Sequence, residues 1–162
     1  YCLDRDKKHK DKNKSIYFNF LESELRELFK VFVDRANDLH KNLQLSNNYR
    51  QELLNSWLNV GSTPYTSIPH NHNDTFGMMF SGVYYVKAPK NCGHIVLEHP
   101  ANLVELSWAE KVPKGQHNEY TGSIWTYNPL PGKLLIFPSW LDHRVEPNLS
   151  KSPRVSFSFN IE

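Results

Sequence analysis

Apolar positions recur along this chain in two different rhythms. Leu21, Leu25, Leu28, Phe32, Ala36, Leu39 and Leu43 fall three or four residues apart. That spacing paints one apolar stripe along a helix and predicts a helix over about 20–44. Asn19 can cap it, and Glu22, three residues on, completes a capping box. A helix of this kind packs its stripe against a sheet or a partner and carries no chemistry of its own. After Asn48 the rhythm changes to short apolar or alternating runs bounded by Pro, Gly or Asn, predicting strands over 54–60, 65–72, 78–87, 93–98, 122–127, 133–137, 142–146 and 153–161. Strands do not alternate with helices, and no segment repeats. One N-terminal helix followed by short strands makes the domain mainly β, a sandwich or jelly roll with the helix on an outer face. The stretch 101–121 is polar, lacks periodicity and is long enough to be an active-site loop.

Composition supports the β reading. Eight Tyr, nine Phe and four Trp suit a pleated, half-buried surface. The formal charge of +2 is too small to favour a nucleic acid polymer. Its one basic concentration, Asp4 to Lys14, mixes Lys with Asp and reads as a solvated segment. Two cysteines, Cys2 and Cys92, are too few for a disulfide framework and too isolated for a thiolate zinc site. They point to a reducing compartment, the cytoplasm of the cell or of an infected host. No apolar run approaches the ~20 residues of a membrane span, and no signal-peptide pattern stands out. The chain opens on Tyr1 rather than Met, as expected of a piece of a longer protein.

Two clusters carry candidate chemistry. In Pro69-His70-Asn71-His72-Asn73-Asp74, positions i, i+2 and i+4 of an extended chain point the same way, so His70, His72 and Asp74 can converge on one point. Two imidazoles and a carboxylate with positions left open are the ligand set of non-haem Fe(II) oxygenases. A polar loop of His and Asn beside a proline is also commonplace, so this cluster does not decide by itself. The second cluster runs an apolar strand, Lys133 to Phe137, through Pro138-Ser139-Trp140-Leu141-Asp142 to His143. Eleven residues later Arg154 opens a strand in which Arg154, Ser156, Ser158 and Asn160 share one face and Val155, Phe157, Phe159 and Ile161 the other. An Arg on an inner face needs an anion, and a guanidinium holds a carboxylate by two parallel hydrogen bonds.

The segments SWLNV (56–60), HNH (70–72), FSGVYYVKAP (80–89), GHIVLEHP (93–100), LLIFPSWLDHRVEPN (134–148) and PRVSFSFNI (153–161) follow in an order that resembles the 2-oxoglutarate/Fe(II) oxygenase-like proteins of phages and marine bacteria. The resemblance covers roughly residues 50–162. It implies a double-stranded β-helix over 19–162 behind a charged segment, 1–18. It also implies Fe(II) on His72 and His143, and 2-oxoglutarate bound by Arg154 with Ser156 beside it. The third ligand stays open. The family pattern of His-x-His favours His70, whereas the charge of a carboxylate beside Fe(II) tips towards Asp74. The unused residue would orient ligands or meet substrate.

Tyr84 and Tyr85 face opposite ways on their strand, so one can reach the far carboxylate of 2-oxoglutarate while the other packs. Asn59 and Trp57 share a face and are candidates for the substrate side of the cavity. Trp57, Phe80 and Trp140 would keep it dry. His94, His99 and His117 lack a partner at ligand spacing and are expected to be structural or exposed. The partners expected are a small-molecule or peptide substrate, no membrane, and a second copy of the chain as a possible homodimer. Two rival readings are a three-histidine cupin-like enzyme on His70, His72 and His143 that does without 2-oxoglutarate, and a non-catalytic jelly-roll binding or structural module.

Overall fold

The alternation in the last strand organises the molecule. In the computed structural model, which describes residues 14–18, 25–46, 51–72, 77–99, 111–113, 116 and 121–162, the elements run β1 (Lys14–Phe18), α1 (Arg26–Asn42), β2 (Leu53–Gly61), β3 (Phe80–Lys87), β4 (Ile95–Glu98), β5 (Ile124–Tyr127), β6 (Leu134–Pro138), β7 (Asp142–Val145) and β8 (Arg154–Ile161). β8 lies in the middle of a five-stranded antiparallel sheet of order β1-β2-β8-β3-β6. A second antiparallel sheet has the order β5-β4-β7. The chain crosses from one sheet to the other repeatedly between β2 and β8, which is the winding of a jelly roll.

Phe157, Phe159 and Ile161 of β8 turn outward and form one core with Phe80 of β3, Leu53, and Phe29, Phe32 and Ala36 of α1. Phe32 stacks on Phe159 with ring centroids 4.2 Å apart. The buried face of α1 is Phe29, Phe32, Ala36 and His40, flanked by partly buried Leu25, Leu28, Val33 and Leu39. Leu43, expected on that stripe, is exposed beyond the last turn. His40 earns its burial through hydrogen bonds to the Gln51 side chain at 3.0 Å and the Ser46 carbonyl at 3.0 Å. Between the sheets, Val83, Tyr85, Ile95, Leu97 and Phe137 form a second core. α1 begins at Arg26 rather than at about residue 20 as expected, and its N-cap is Leu25 with no side-chain cap hydrogen bond. Asn19 itself, residues 1–13 and most of 101–121 lie outside the described residues.

The expected strand over 65–72 is not a regular strand. Its one ladder pair is His70 with His143 of β7, bonded both ways at 3.1 and 2.8 Å. Pro64 and Pro69 bracket the segment and offer no N–H to a ladder. The Ser67 hydroxyl takes the place of a backbone carbonyl in accepting from Val145 N–H at 2.8 Å, while Ser67 N–H still donates to Val145 O at 3.2 Å. The segment therefore lies along β7 as a broken fourth strand of the smaller sheet. β1 is an element that the sequence pattern does not announce. It pairs in register with β2 from Lys14↔Val60 to Phe18↔Ser56. No helix among the described residues is long and apolar enough to cross a membrane.

Candidate metal centre

The broken strand and β7 bring three imidazoles together. His70, His72 and His143 each offer a ring nitrogen, and those atoms all lie within 4.8 Å of one another. The ring centroids stand 4.3 Å (His70–His143), 5.2 Å (His72–His143) and 5.3 Å (His70–His72) apart. Local chemistry holds this arrangement. His72 N–H donates to Ser139 O at 2.9 Å, and the Asn71 amide, pointing away from its neighbours, donates to Asp142 Oδ1 at 2.6 Å. Nδ1–H of His70 donates to Ile68 O at 2.9 Å, and Nδ1–H of His143 to Leu141 O at 3.0 Å. A nitrogen that donates to a carbonyl must carry the proton, so in the neutral form of either ring it is Nε2 that keeps its lone pair. Burial pushes the His143 pKa down to about 4, so this ring is neutral and able to donate its electron pair near pH 7. Phe137 packs against it edge-on at 5.0 Å. The donor set suits a divalent transition metal.

The trio lines a cavity of ≈ 190 Å³ between the sheets, and Arg154 lines the same cavity. Arg154 is 4% exposed. Its Nη1 donates to Cys92 O at 2.7 Å and more weakly to Gly93 O at 3.4 Å, and its guanidinium lies 5.9 Å from the Tyr65 ring centre. Among the described residues no carboxylate is within ion-pair reach of it. Burial lowers its pKa, but a guanidinium stays charged at any ordinary pH. A buried, unpaired cation facing a cavity calls for an anion there.

Ser156 and Tyr85 face this cavity beside Arg154, and burial raises the Tyr85 pKa to about 12, so its hydroxyl keeps its proton. Tyr84 turns the other way and packs 5.9 Å from the Phe32 ring, under α1 and outside the cavity. Asn59 and Trp57 line the cavity from β2. Of the aromatics expected to keep it dry, Phe80 belongs to the α1 core instead, because its register position on β3 faces outward with Ile161. Trp140 is 40% exposed and stands edge-on to His99 at 5.3 Å. His94 pairs with Glu146 at 2.6 Å on the surface, and that hydrogen bond holds the Glu146 carboxyl below its usual range. Asp74 and His117 lie outside the described residues. Ser15 and Tyr65 also line the cavity. Sequence reasoning missed both, since neither sits at a recognisable spacing from another polar group.

A family model described as "Putative 2OG-Fe(II) oxygenase" matches residues 55–160. No curated protein sequence matches the chain. Among solved structures, an oxidoreductase of the 2OG-Fe(II) oxygenase family from Burkholderia pseudomallei is 11% identical, with 93% of this chain and 66% of that one covered at a TM-score of 0.62. A Pseudomonas putida prolyl-4-hydroxylase is 13% identical, with 93% and 71% covered at 0.61. HygX from Streptomyces hygroscopicus, with nickel and 2-oxoglutarate bound, is 10% identical, with 93% and 70% covered at 0.62. At these identities the fold is what is shared. The chain spans 66% of the length of the first of these structures.

Proposed function

This chain belongs to the 2OG-Fe(II) oxygenase family, and from that premise we propose that it holds Fe(II) on His70, His72 and His143, binds 2-oxoglutarate at Arg154, and oxidises a second substrate, a small molecule or a peptide. Metal and cosubstrate together supply the chemistry, in which O₂ oxidises a C–H bond of the substrate while 2-oxoglutarate is decarboxylated to succinate. The observation that carries the reading is that one cavity unites three convergent imidazoles with a buried guanidinium that has no carboxylate partner among the described residues.

The protein's part is placement. Ile68 O and Leu141 O fix the tautomers of His70 and His143, so that both rings meet the metal without reorganising. Cys92 O holds one edge of the Arg154 guanidinium and leaves the rest of the fork for a carboxylate. Ser156 and the protonated Tyr85 hydroxyl stand ready as further donors to the same carboxylate. His70 takes the third ligand position in this reading because it already converges with the other two. Cys92, buried and with a free thiol, suits a cytoplasmic place of action.

The test is anaerobic. Fe(II) added to the purified chain should bind one to one, and 2-oxoglutarate should then bring up a visible charge-transfer band. Arg154→Ala should keep the metal and lose the band. His70→Ala should lose metal, and Asp74→Asn should keep it. Metal without a band would leave the three-histidine reading that does not use 2-oxoglutarate, and no stoichiometric metal would leave a binding module.

A further inference from the structure

We propose that β1 is a working wall of the cavity: Ser15 orients the Asn59 amide so that Asn59 and Ser158 present hydrogen-bond donors to the oxygens of a bound oxo acid. The inference rests on the reading of the site given above and adds to it a strand that lies outside the family-matched residues 55–160.

β1 is an edge strand, and its register sets Ser15 directly opposite Asn59 of β2, which is in turn opposite Ser156 of β8. The Ser15 hydroxyl donates to Asn59 Oδ1 at 2.9 Å. With its oxygen engaged on the β1 side, the amide must turn Nδ2 towards β8, where it donates to Ser158 Oγ at 2.9 Å. Hydrogen accounting then becomes specific. Asn59 retains one N–H and Ser158 retains its O–H, and neither meets an acceptor among the described residues. A second chain runs across the same face. Ser81 Oγ donates to Asn160 Oδ1 at 2.8 Å, and Asn160 Nδ2 donates to Asn55 Oδ1 at 2.9 Å, leaving one more N–H.

Along this polar floor each of the Asn59 and Asn160 amide oxygens already accepts one hydrogen bond, while Asn59 Nδ2, Asn160 Nδ2 and Ser158 Oγ each keep a hydrogen for a ligand. Arg154 stands on the same face of β8 and adds charged donors to the neutral ones. A floor of this kind is complementary to a ligand rich in acceptor oxygens and poor in donors, and a 2-oxo dicarboxylate is such a ligand. The Ser15 hydroxyl, donating to Asn59 Oδ1, holds the amide oxygen on the β1 side. Without that contact the Asn59 amide is freer to turn and offer its oxygen to the cavity.

If the chain of hydrogen bonds only fastened β1 to its sheet, removing the Ser15 hydroxyl would lower stability and leave ligand affinity alone. Titration calorimetry of 2-oxoglutarate into the Mn(II)-loaded full chain separates the two. Asn59→Ala and Ser158→Ala should each raise the Kd by about tenfold, and Ser15→Ala by about threefold, the range for one hydrogen bond lost or misaligned. Ser15→Thr, which restores the hydroxyl, should return the wild-type Kd. Mn(II) affinity should not change in any of them. Because Ser15 is exposed, its variants fold whatever becomes of the interior pair. Wild-type affinity in Ser15→Ala and Ser158→Ala, with only the melting temperature lowered, would overturn the proposal alone. No 2-oxoglutarate binding by the unmutated Mn(II) protein would overturn the reading of the site and this proposal with it.

Discussion

At the scale of single residues the conspicuous charge imbalance among the described residues is the buried cation Arg154. Desolvating a guanidinium costs several kcal/mol, and two backbone carbonyls with the face of Tyr65 offset part of that. Arg154→Met keeps the volume and removes the charge. In the absence of ligand it should change stability by no more than about 1 kcal/mol, since relief of desolvation opposes the loss of the carbonyl contacts. The Kd for 2-oxoglutarate should rise at least about a hundredfold, the consequence of losing a buried bidentate partner. Thermal melts and calorimetry on the same samples check both halves. The convergence of His72, His143 and Arg154 on one cavity was legible because metal and carboxylate chemistry restrict residue types severely, and those residues sit on segments with an alternating pattern. The partners of Arg154 were not legible, because Cys92 and Gly93 meet it through backbone oxygens that every residue possesses. The third ligand stayed open for a similar reason, since His70 and Asp74 each fit one register of the same short segment.

At the scale of elements, the packing of α1 on the five-stranded sheet explains one glycine. Gly82 lies on β3 opposite Phe159, and a Cβ there would meet the Phe159 ring at 2.2 Å and the Leu135 carbonyl at 2.8 Å. Phe159 cannot give way, being stacked on Phe32. Gly82→Ala should therefore destabilise by about 3 kcal/mol, an overpacking cost that denaturant titration measures. Phe32→Ala should cost about 4 kcal/mol by leaving a hole beneath α1, while Mn(II) affinity of the folded fraction stays as it was, because this core is on the far side of the sheet from the imidazoles. The β8 faces and the helix stripe were readable because period 2 and period 3.6 leave different marks. The segment 65–72 misled because an extended, histidine-bearing chain between prolines shares the strand's alternation without its ladder. β1 was invisible for the opposite reason: five residues have no pattern of their own, and only pairing with β2 makes them a strand.

At the scale of the whole molecule the cavity is where two separately built halves meet. The larger sheet brings Arg154, Ser156 and Tyr85, and the smaller sheet with its broken fourth strand brings His70, His72 and His143. On the site proposed above, a metal alone would tie the broken strand to β7, within one half. A 2-oxo acid alone would meet Arg154, within the other. Only the two together would bridge the sheets, so their effects on stability should be cooperative rather than additive. At about a hundred times its Kd a ligand adds about 2.7 kcal/mol to unfolding, which for a domain of this size raises the melting temperature by about 5–10 °C. Mn(II) with 2-oxoglutarate should reach that range. 2-Oxoglutarate with chelator present should give a far smaller shift, and Arg154→Met should erase the increment that the oxo acid adds to Mn(II). Melts recorded for the four combinations of metal and oxo acid decide the matter. Equal shifts by 2-oxoglutarate with and without Mn(II) would mean that the oxo acid does not span the two halves, and the bridging role of the cavity would fall.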